Sequence, residues 1–330
     1  MKDEFDFIDS ITPKKSFQPT LIRGIGDDAA LIRSEAGQND ILCVDTMVES
    51  IHFNRKTMNP YQIGYKALAV NVSDIAAMGG APTFYLVSIA IPSSWSEEEL
   101  QEIYKGMDGL AQQHEMDLIG GDTVSTKGPL VISVTVHGRV QSDRQLLREN
   151  ARPGDIVFVT GPLGLSAAGL HLLLENDQFE ATRQKELLKA HQMPDPQVKA
   201  GLLLAESGFR IALNDISDGI ASEAWEIADA SQVHITLDYD QVPKHPELKH
   251  FSAQQTEEWI LYGGEDFQLV GTVSESNWLP LKRLFDQHQK PLYNIGTVET
   301  GEAGVSLFKN GDSLRLSKKG YNHFKGNSKS

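Results

Sequence analysis

Acidic residues stand in six short runs of glycine and small side chains spread along the chain. They are Gly-Ile-Gly-Asp-Asp-Ala-Ala (24–30), Val-Asp-Thr-Met-Val-Glu (44–49), Asn-Val-Ser-Asp-Ile-Ala-Ala-Met-Gly (71–79), Gly-Gly-Asp-Thr (120–123), Asn-Asp-Ile-Ser-Asp-Gly (214–219) and Gly-Gly-Glu-Asp-Phe (263–267). An aspartate in a turn or at a helix start is ordinary. Carboxylates beside consecutive apolar residues are less so, because a charge is rarely buried without a partner. A hard divalent cation is the usual partner for several carboxylates at once. The chemistry these runs suggest is magnesium-assisted handling of phosphate.

Taken singly, most of these residues have a plainer reading. Asp45 ends an apolar strand and Asp122 follows Gly120-Gly121, both places where turn aspartates collect. Asp215 and Asp218 precede a helix, and Ser217 or Asp218 could simply cap it. The same pair would also suit a metal-bridged phosphate, with helix N–H groups assisting. Glu265 and Asp266 could form a turn after Gly263-Gly264. Asp74 is the exception, since Ile75-Ala76-Ala77-Met78 beside it on a buried-looking helix demands a partner for its charge. His52 gains interest only from its nearness to Asp45, and Cys43 reads as a small core residue. Gly24-Ile25-Gly26 lacks the third glycine of a dinucleotide fingerprint, and no Gly-Lys-Ser/Thr exists for a Walker A loop.

The elements that must position these groups follow from the pattern. Residues 41–45 form a short strand, and Asn59-Pro60 opens a helix that Gly79-Gly80 stops. Asn71 and Asp74, three apart, share a face of that helix. Residues 84–91 read as a buried strand, Ser96-x-x-Glu99 as the capping box of a helix to about residue 114, and 117–121 and 130–136 as strands. After a turn at 152–155, strands at 156–160, 211–213, 233–237, 268–273, 292–298 and 305–308 alternate with helices ending near 174, 191, 208 and 230. That alternation is α/β.

At 330 residues the chain is long enough for two domains. A net charge of −15 argues against nucleic acid as a partner, since phosphate backbones need clustered Lys and Arg. A phosphate substrate held through metal is compatible with it. A single cysteine excludes an internal disulfide and a multi-cysteine zinc site. No apolar run approaches the ~18 residues of a membrane span, and the acidic start has no signal core. A cytoplasmic protein is expected.

In this order the motifs resemble the thiamine-monophosphate kinase family, of the superfamily that includes aminoimidazole ribonucleotide synthetase and selenophosphate synthetase. The resemblance runs from Glu4-Phe5-x-x-Ile8 through the run at 24–28, Asp45-Thr46-Met47-Val48-Glu49 with His52-Phe53, the helical stretch 66–79, and 118–123. It continues through Asp215-x-Ser217-Asp218-Gly219 and Gly263-Gly264-Glu265-Asp266 to the tail Lys319-Gly320-Tyr321-Asn322-His323-Phe324. It implies an α/β (α+β) protein of two domains. Residues 1–145 would be a strand-rich metal/ATP-binding domain with two main helices, which dimerises; residues 146–330 would be an α/β domain, with the active site in the cleft between them.

The activity implied is transfer of the ATP γ-phosphate onto thiamine monophosphate, giving thiamine diphosphate, with several Mg²⁺ ions and ATP as co-substrate. Asp28, Asp45, Asp74, Asp122, Asp215 and Asp218 would be metal ligands. Gly121, Asp122, Arg148 and Ser217 would contact ATP, and His52 and Glu265 the thiamine substrate. Cys43 and Val44 stand where the family often has Ser and Thr, so Val44 could ligate only through its carbonyl. Ser317 and Lys318 stand where some members carry Trp, which leaves Tyr321 as the expected aromatic contact. A phosphate nucleophile is already ionised near neutral pH, its second pKa being about 6, so no catalytic base or covalent nucleophile is expected. The alternatives are an aminoimidazole ribonucleotide synthetase-like ATP-dependent enzyme and a non-catalytic, metal-stabilised binding protein.

Overall fold

The computed structural model describes residues 8, 10–25, 30–175 and 184–318. The chain divides into two compact units, Met1–Gln145 with Gln192–Leu202, and Leu146–His191 with Leu203–Ser330. Among the described residues no helix is long and apolar enough to cross a membrane.

The first unit opens with a small ladder of β1 (Leu21–Arg23) and β2 (Leu31–Ile32). Its main sheet has four strands: β3 (Gln38–Val48), β4 (Ala81–Pro92), β5 (Asp117–Thr126) and β6 (Val131–Gln141), in the order β3-β6-β4-β5. Only β4 and β5 run parallel. The helix α1 (Pro60–Ala77) starts at Asn59, which forms a reciprocal capping box with Gln62. Such a cap contributes about 1 kcal/mol. Gly79, at φ 72°, takes the left-handed turn that ends it. The helix α2 (Glu97–Gln113) is capped the same way by Ser96 and Glu99.

The two helices cross closely because of two glycines. A Cβ on Gly64 would lie 1.8 Å from the Ile103 carbonyl oxygen, and one on Gly106 would lie 1.9 Å from that of Tyr61. Ile63, Leu68, Val72 and Ile75 of α1 are fully buried, as are Ile89, Val134 and Val136 of the sheet. The sheet's other face is open: Leu42 is 71% exposed, Val44 60% and Val124 47%.

The second unit is built on a seven-stranded sheet. Its strands are β7 (Asp155–Val159), β8 (Ile211–Asp215), β9 (His234–Asp238), β10 (Leu269–Ser274), β11 (Tyr293–Glu299), β12 (Gly304–Lys309) and β13 (Asp312–Arg315), ordered β13-β12-β9-β11-β7-β10-β8. Strands and helices alternate along the chain as expected, yet every neighbouring pair except β12 with β9 is antiparallel. The helices are α3 (Leu165–Glu175), α4 (Lys185–Gln192), α5 (Val198–Glu206), α6 (Ile220–Ser231), α7 (Ala253–Tyr262) and α8 (Glu275–Gln287). Gln192 and the start of α5 group with the first unit.

The last two helices escape a reading by pattern. In α7 only Ile260 and Leu261 are buried, although Ser252 and Gln255 form a capping box. In α8 Pro280 interrupts the sequence signal while Leu281 and Phe285, four apart, anchor the helix.

Candidate active site

In the first unit β3 and the last turn of α1 bring two carboxylates together. The Asp45 and Asp74 carboxyls lie close enough for each to influence the other's ionisation. Two ionised carboxylates this near repel each other, and a shared proton or a cation relieves that repulsion. Partial desolvation raises the Asp45 carboxyl above its ordinary range, with Asp74 and the charge of His52 opposing it in part. Cys43, two residues earlier on the same pleat, is pushed up strongly by burial and by the charges of Asp74 and Asp45. Its Sγ donates to the Asn71 carbonyl at 3.3 Å, so it is a neutral thiol.

Asn71 lies one turn before Asp74 and is fully buried. Its amide nitrogen donates to the Ala67 carbonyl at 3.1 Å, while its Oδ1 has no hydrogen-bond partner. A half-buried Asp74 facing a solvent-accessible Asp45, beside the unsatisfied Asn71 acceptor, forms a donor set suited to a hard cation that keeps water. Among the described residues no three His, Cys, Asp or Glu side chains gather into a ready metal cage. His52 is half-buried, and the Val48 N–H donates to its Nδ1 at 3.0 Å. In the neutral ring this puts the proton on Nε2.

The other residues expected in this unit are placed differently. Gly121 pairs with Val87, in the row that continues to Val134 and Asp45. Asp122 is in the next row, with Ser88, Ser133 and Thr46, and the last two join their hydroxyls at 2.9 Å. Adjacent rows of a pleated sheet face opposite ways, so the sheet does not by itself carry Asp122 to the Asp45–Asp74 pair. Val44 shows its side chain on the open face, where Thr135 is its partner across the ladder. Asp28 and Tyr321 lie outside the described residues. A cavity of about 650 Å³ under the segment 10–17 is lined by Lys14, Lys15, Tyr104, Lys105 and Asp117, apart from all the expected residues.

In the second unit β8 ends on buried Asp215, and a turn through Ser217 and Asp218 leads to Gly219, which starts α6 at φ 93°. A Cβ there would lie 2.8 Å from the Tyr262 carbonyl carbon, so both backbone angle and space call for glycine. Glu223, one turn into α6, reaches back under this turn. Its Oε1 accepts from the Asp218 N–H at 3.0 Å and the Ser217 hydroxyl at 3.3 Å, and its Oε2 from Asn214 Nδ2 at 2.6 Å. Burial, then the nearby Asp215 carboxylate, pushes its pKa up to about 8. Asn214 in turn accepts from Arg148 Nε at 3.0 Å.

Glu265 and Asp266 separate in role. Asp266 is buried and caps α3, its Oδ2 accepting from the Gly164 N–H at 2.6 Å and its Oδ1 from the Ser166 N–H at 3.2 Å. Glu265 sits at φ 65°, a conformation costly for a side-chain-bearing residue, and its Oε2 is 3.5 Å from His191 Nδ1. Sequence reasoning missed Asn214 and Glu223. The signal for Glu223 was the one that marked Asp74, an acid among small apolar helix residues (Ala221, Ala224).

Burial raises the Asp266 pKa to about 7, against the backbone donors that lower it. Between its unfolded value near 4 and 7 the folded state therefore holds the extra proton, and this group's contribution to stability falls as pH rises across that window. Denaturant unfolding at pH 5 and pH 8 should show wild type losing more stability than Asp266→Asn over that interval. Equal losses would contradict the assignment. Asp266→Ala, which orphans two helix N–H groups, should cost about 1–3 kcal/mol.

The two halves match one class of protein. Residues 26–140 match the N-terminal domain, and 152–308 the C-terminal domain, of the AIR synthase related proteins. The chain is 50% identical over 326 residues to the thiamine-monophosphate kinase of Bacillus subtilis (strain 168), covering 98% of this chain and all of that one. The crystal structure of thiamine-monophosphate kinase from Stenotrophomonas maltophilia K279a superposes with a TM-score of 0.82 at 32% identity, covering 90% of this chain and 93% of that one. The structure of AaThiL complexed with AMPPCP and TMP gives 0.76 at 30% identity, covering 97% of each. The chain belongs to the thiamine-monophosphate kinase family.

Proposed function

We propose that this chain phosphorylates thiamine monophosphate with ATP by direct, Mg²⁺-assisted transfer, giving thiamine diphosphate and ADP. The observation that carries the reading is the Asp45–Asp74 carboxyl pair, which calls for a cation, in a chain half identical over its length to a thiamine-monophosphate kinase. The structure of AaThiL with AMPPCP and TMP supports ATP and thiamine monophosphate as the substrates.

Joining two phosphates means bringing like charges together, and bound Mg²⁺ would neutralise that charge. Asp45 and Asp74, with Asp28, Asp122 and the Val44 carbonyl, would hold metal from the first unit, and Asp215 and Asp218 from the second. Arg148 presents a guanidinium whose Nε is already tied to Asn214, which leaves its outer edge to a phosphate. Gly121, Asp122 and Ser217 would complete the ATP contacts. His52, whose Nδ1 is occupied by the main chain, would offer Nε2–H to the thiamine substrate, with Glu265 and Tyr321. No residue need remove a proton, because the attacking phosphate is already an anion. The expected compartment is the cytoplasm. A coupled assay should show Mg²⁺-dependent ADP release with thiamine monophosphate and none with an aminoimidazole ribonucleotide precursor; the reverse preference would overturn the reading.

The open sheet face supports the homodimer. Leu42 and Val44 on β3, Leu86 on β4 and Val124 on β5 put exposed apolar side chains on a sheet of hydrogen-bonded strands, an arrangement that marks an interaction surface. Sedimentation should give twice the 36.4 kDa chain mass, and Leu42→Asp with Leu86→Asp should give the single chain. A wild-type monomer at micromolar concentration would contradict the assembly.

A further inference from the structure

Resting on that reading, we infer that Glu223 is a positioning residue for the nucleotide, tying Arg148 and the Ser217–Asp218 turn into one fixed arrangement. Glu223 accepts three hydrogen bonds, one from Asn214 and two from the turn. Asn214 passes the constraint on, since its Nδ2 donates to Glu223 and its Oδ1 is thereby left to face Arg148 Nε. With the Glu223 carboxyl ionised, the polarity of this chain has one solution. An amide has one donor end and one acceptor end, so the carboxylate on one side dictates the guanidinium on the other. Glu223 and Asn214 are both buried, at 4% and 2% exposure, so water does not substitute for a missing partner cheaply.

The consequence is directional. The Ser217 hydroxyl donates to Glu223, which leaves its oxygen lone pairs for whatever approaches from the turn's open side. The Asp218 N–H is likewise committed to Glu223, so its carboxylate is aimed by a fixed backbone. Arg148 is held at its other end too, by the Ser231 hydroxyl on its carbonyl at 2.7 Å. Its NH1 lies 3.5 Å from Glu226, a half-exposed pairing that a phosphate can replace. Side chains locked by their own partners bind a ligand without a further ordering cost. Glu223 therefore acts without touching the substrate.

Hydrogen-bond polarity supplies the test. In Glu223→Gln, whichever way the new amide turns, a donor meets a donor, at Asn214 or at the Asp218 N–H. Adding Asn214→Asp restores the match: the new carboxylate accepts from both the glutamine and Arg148, and the net charge equals that of wild type with Glu223 ionised. Calorimetric titration with MgATP should show affinity reduced about tenfold or more in Glu223→Gln, with the KM for ATP rising in parallel and that for thiamine monophosphate within about twofold. The double variant should return to within about threefold of wild type. Wild-type MgATP affinity in Glu223→Gln, or a folded double variant no tighter than the single one, overturns the inference. If Glu223→Gln fails to fold, the double variant decides alone: near-wild-type affinity supports the hub, and affinity tenfold weaker in a folded protein overturns it. Failure of the kinase reading would show separately, as wild-type protein that binds MgATP but transfers nothing to thiamine monophosphate.

Discussion

Asp74→Asn should lower kcat by about a thousandfold or more while leaving the protein folded. Metal-borne charge stabilisation amounts to several kcal/mol, and each 1.4 kcal/mol is about tenfold in rate. The substitution keeps the size of the side chain and removes only its charge. In the metal-free protein that charge is a burden, because Asp74 faces Asp45 and its field also raises Cys43. The variant should therefore melt no lower than wild type without Mg²⁺, and should lose the thermal stabilisation that Mg²⁺ gives wild type. A dead enzyme with unchanged or raised melting temperature separates ligation from folding. Full activity regained at high Mg²⁺ would show that Asp74 is not a ligand.

Arg148→Met should reduce kcat/KM for ATP by about a hundredfold to a thousandfold, the range found when one fixed charge-stabilising donor is removed. Arg148→Lys should recover little of it. A guanidinium can give Nε to Asn214 and still offer two nitrogens outward, whereas a lysine ammonium is a point charge that cannot hold both. The pairing with Glu226 adds little to binding, because the Arg148 side chain is half exposed there. Steady-state kinetics with ATP varied would check both variants. A methionine variant within tenfold of wild type would remove Arg148 from the reaction.

Much of the frame was legible because its signals are local. Asn59-Pro60, the glycine stop at 79–80 and the Ser96–Glu99 box are short-range chemistry, and α1 and α2 begin and end where those residues place them. Asp74 was legible for the same reason, since an acid beside Ile75-Ala76-Ala77 is anomalous whatever the fold. Its partner was not. The approach to Asp45 depends on how α1 lies on β3, which no spacing in the sequence states. The antiparallel pairing of the second sheet was hidden likewise, because β7, β10 and β8 pair across more than 50 residues. Glu223 carried a readable local signal, but its meaning lay in three donors drawn from Asn214, Ser217 and Asp218. Asp266 looked like half of an acidic pair with Glu265, and the fold gives it to the start of α3 instead.

The most direct test of the account follows a single phosphate. Purified protein is mixed with γ-labelled ATP, thiamine monophosphate and Mg²⁺, and quenched in acid within the first turnover. The label should appear in thiamine diphosphate in step with ADP, with none on the protein, and chelation of Mg²⁺ should abolish its transfer. Label that passes through the protein before reaching product, or ATP cleavage that proceeds equally without thiamine monophosphate, would contradict it.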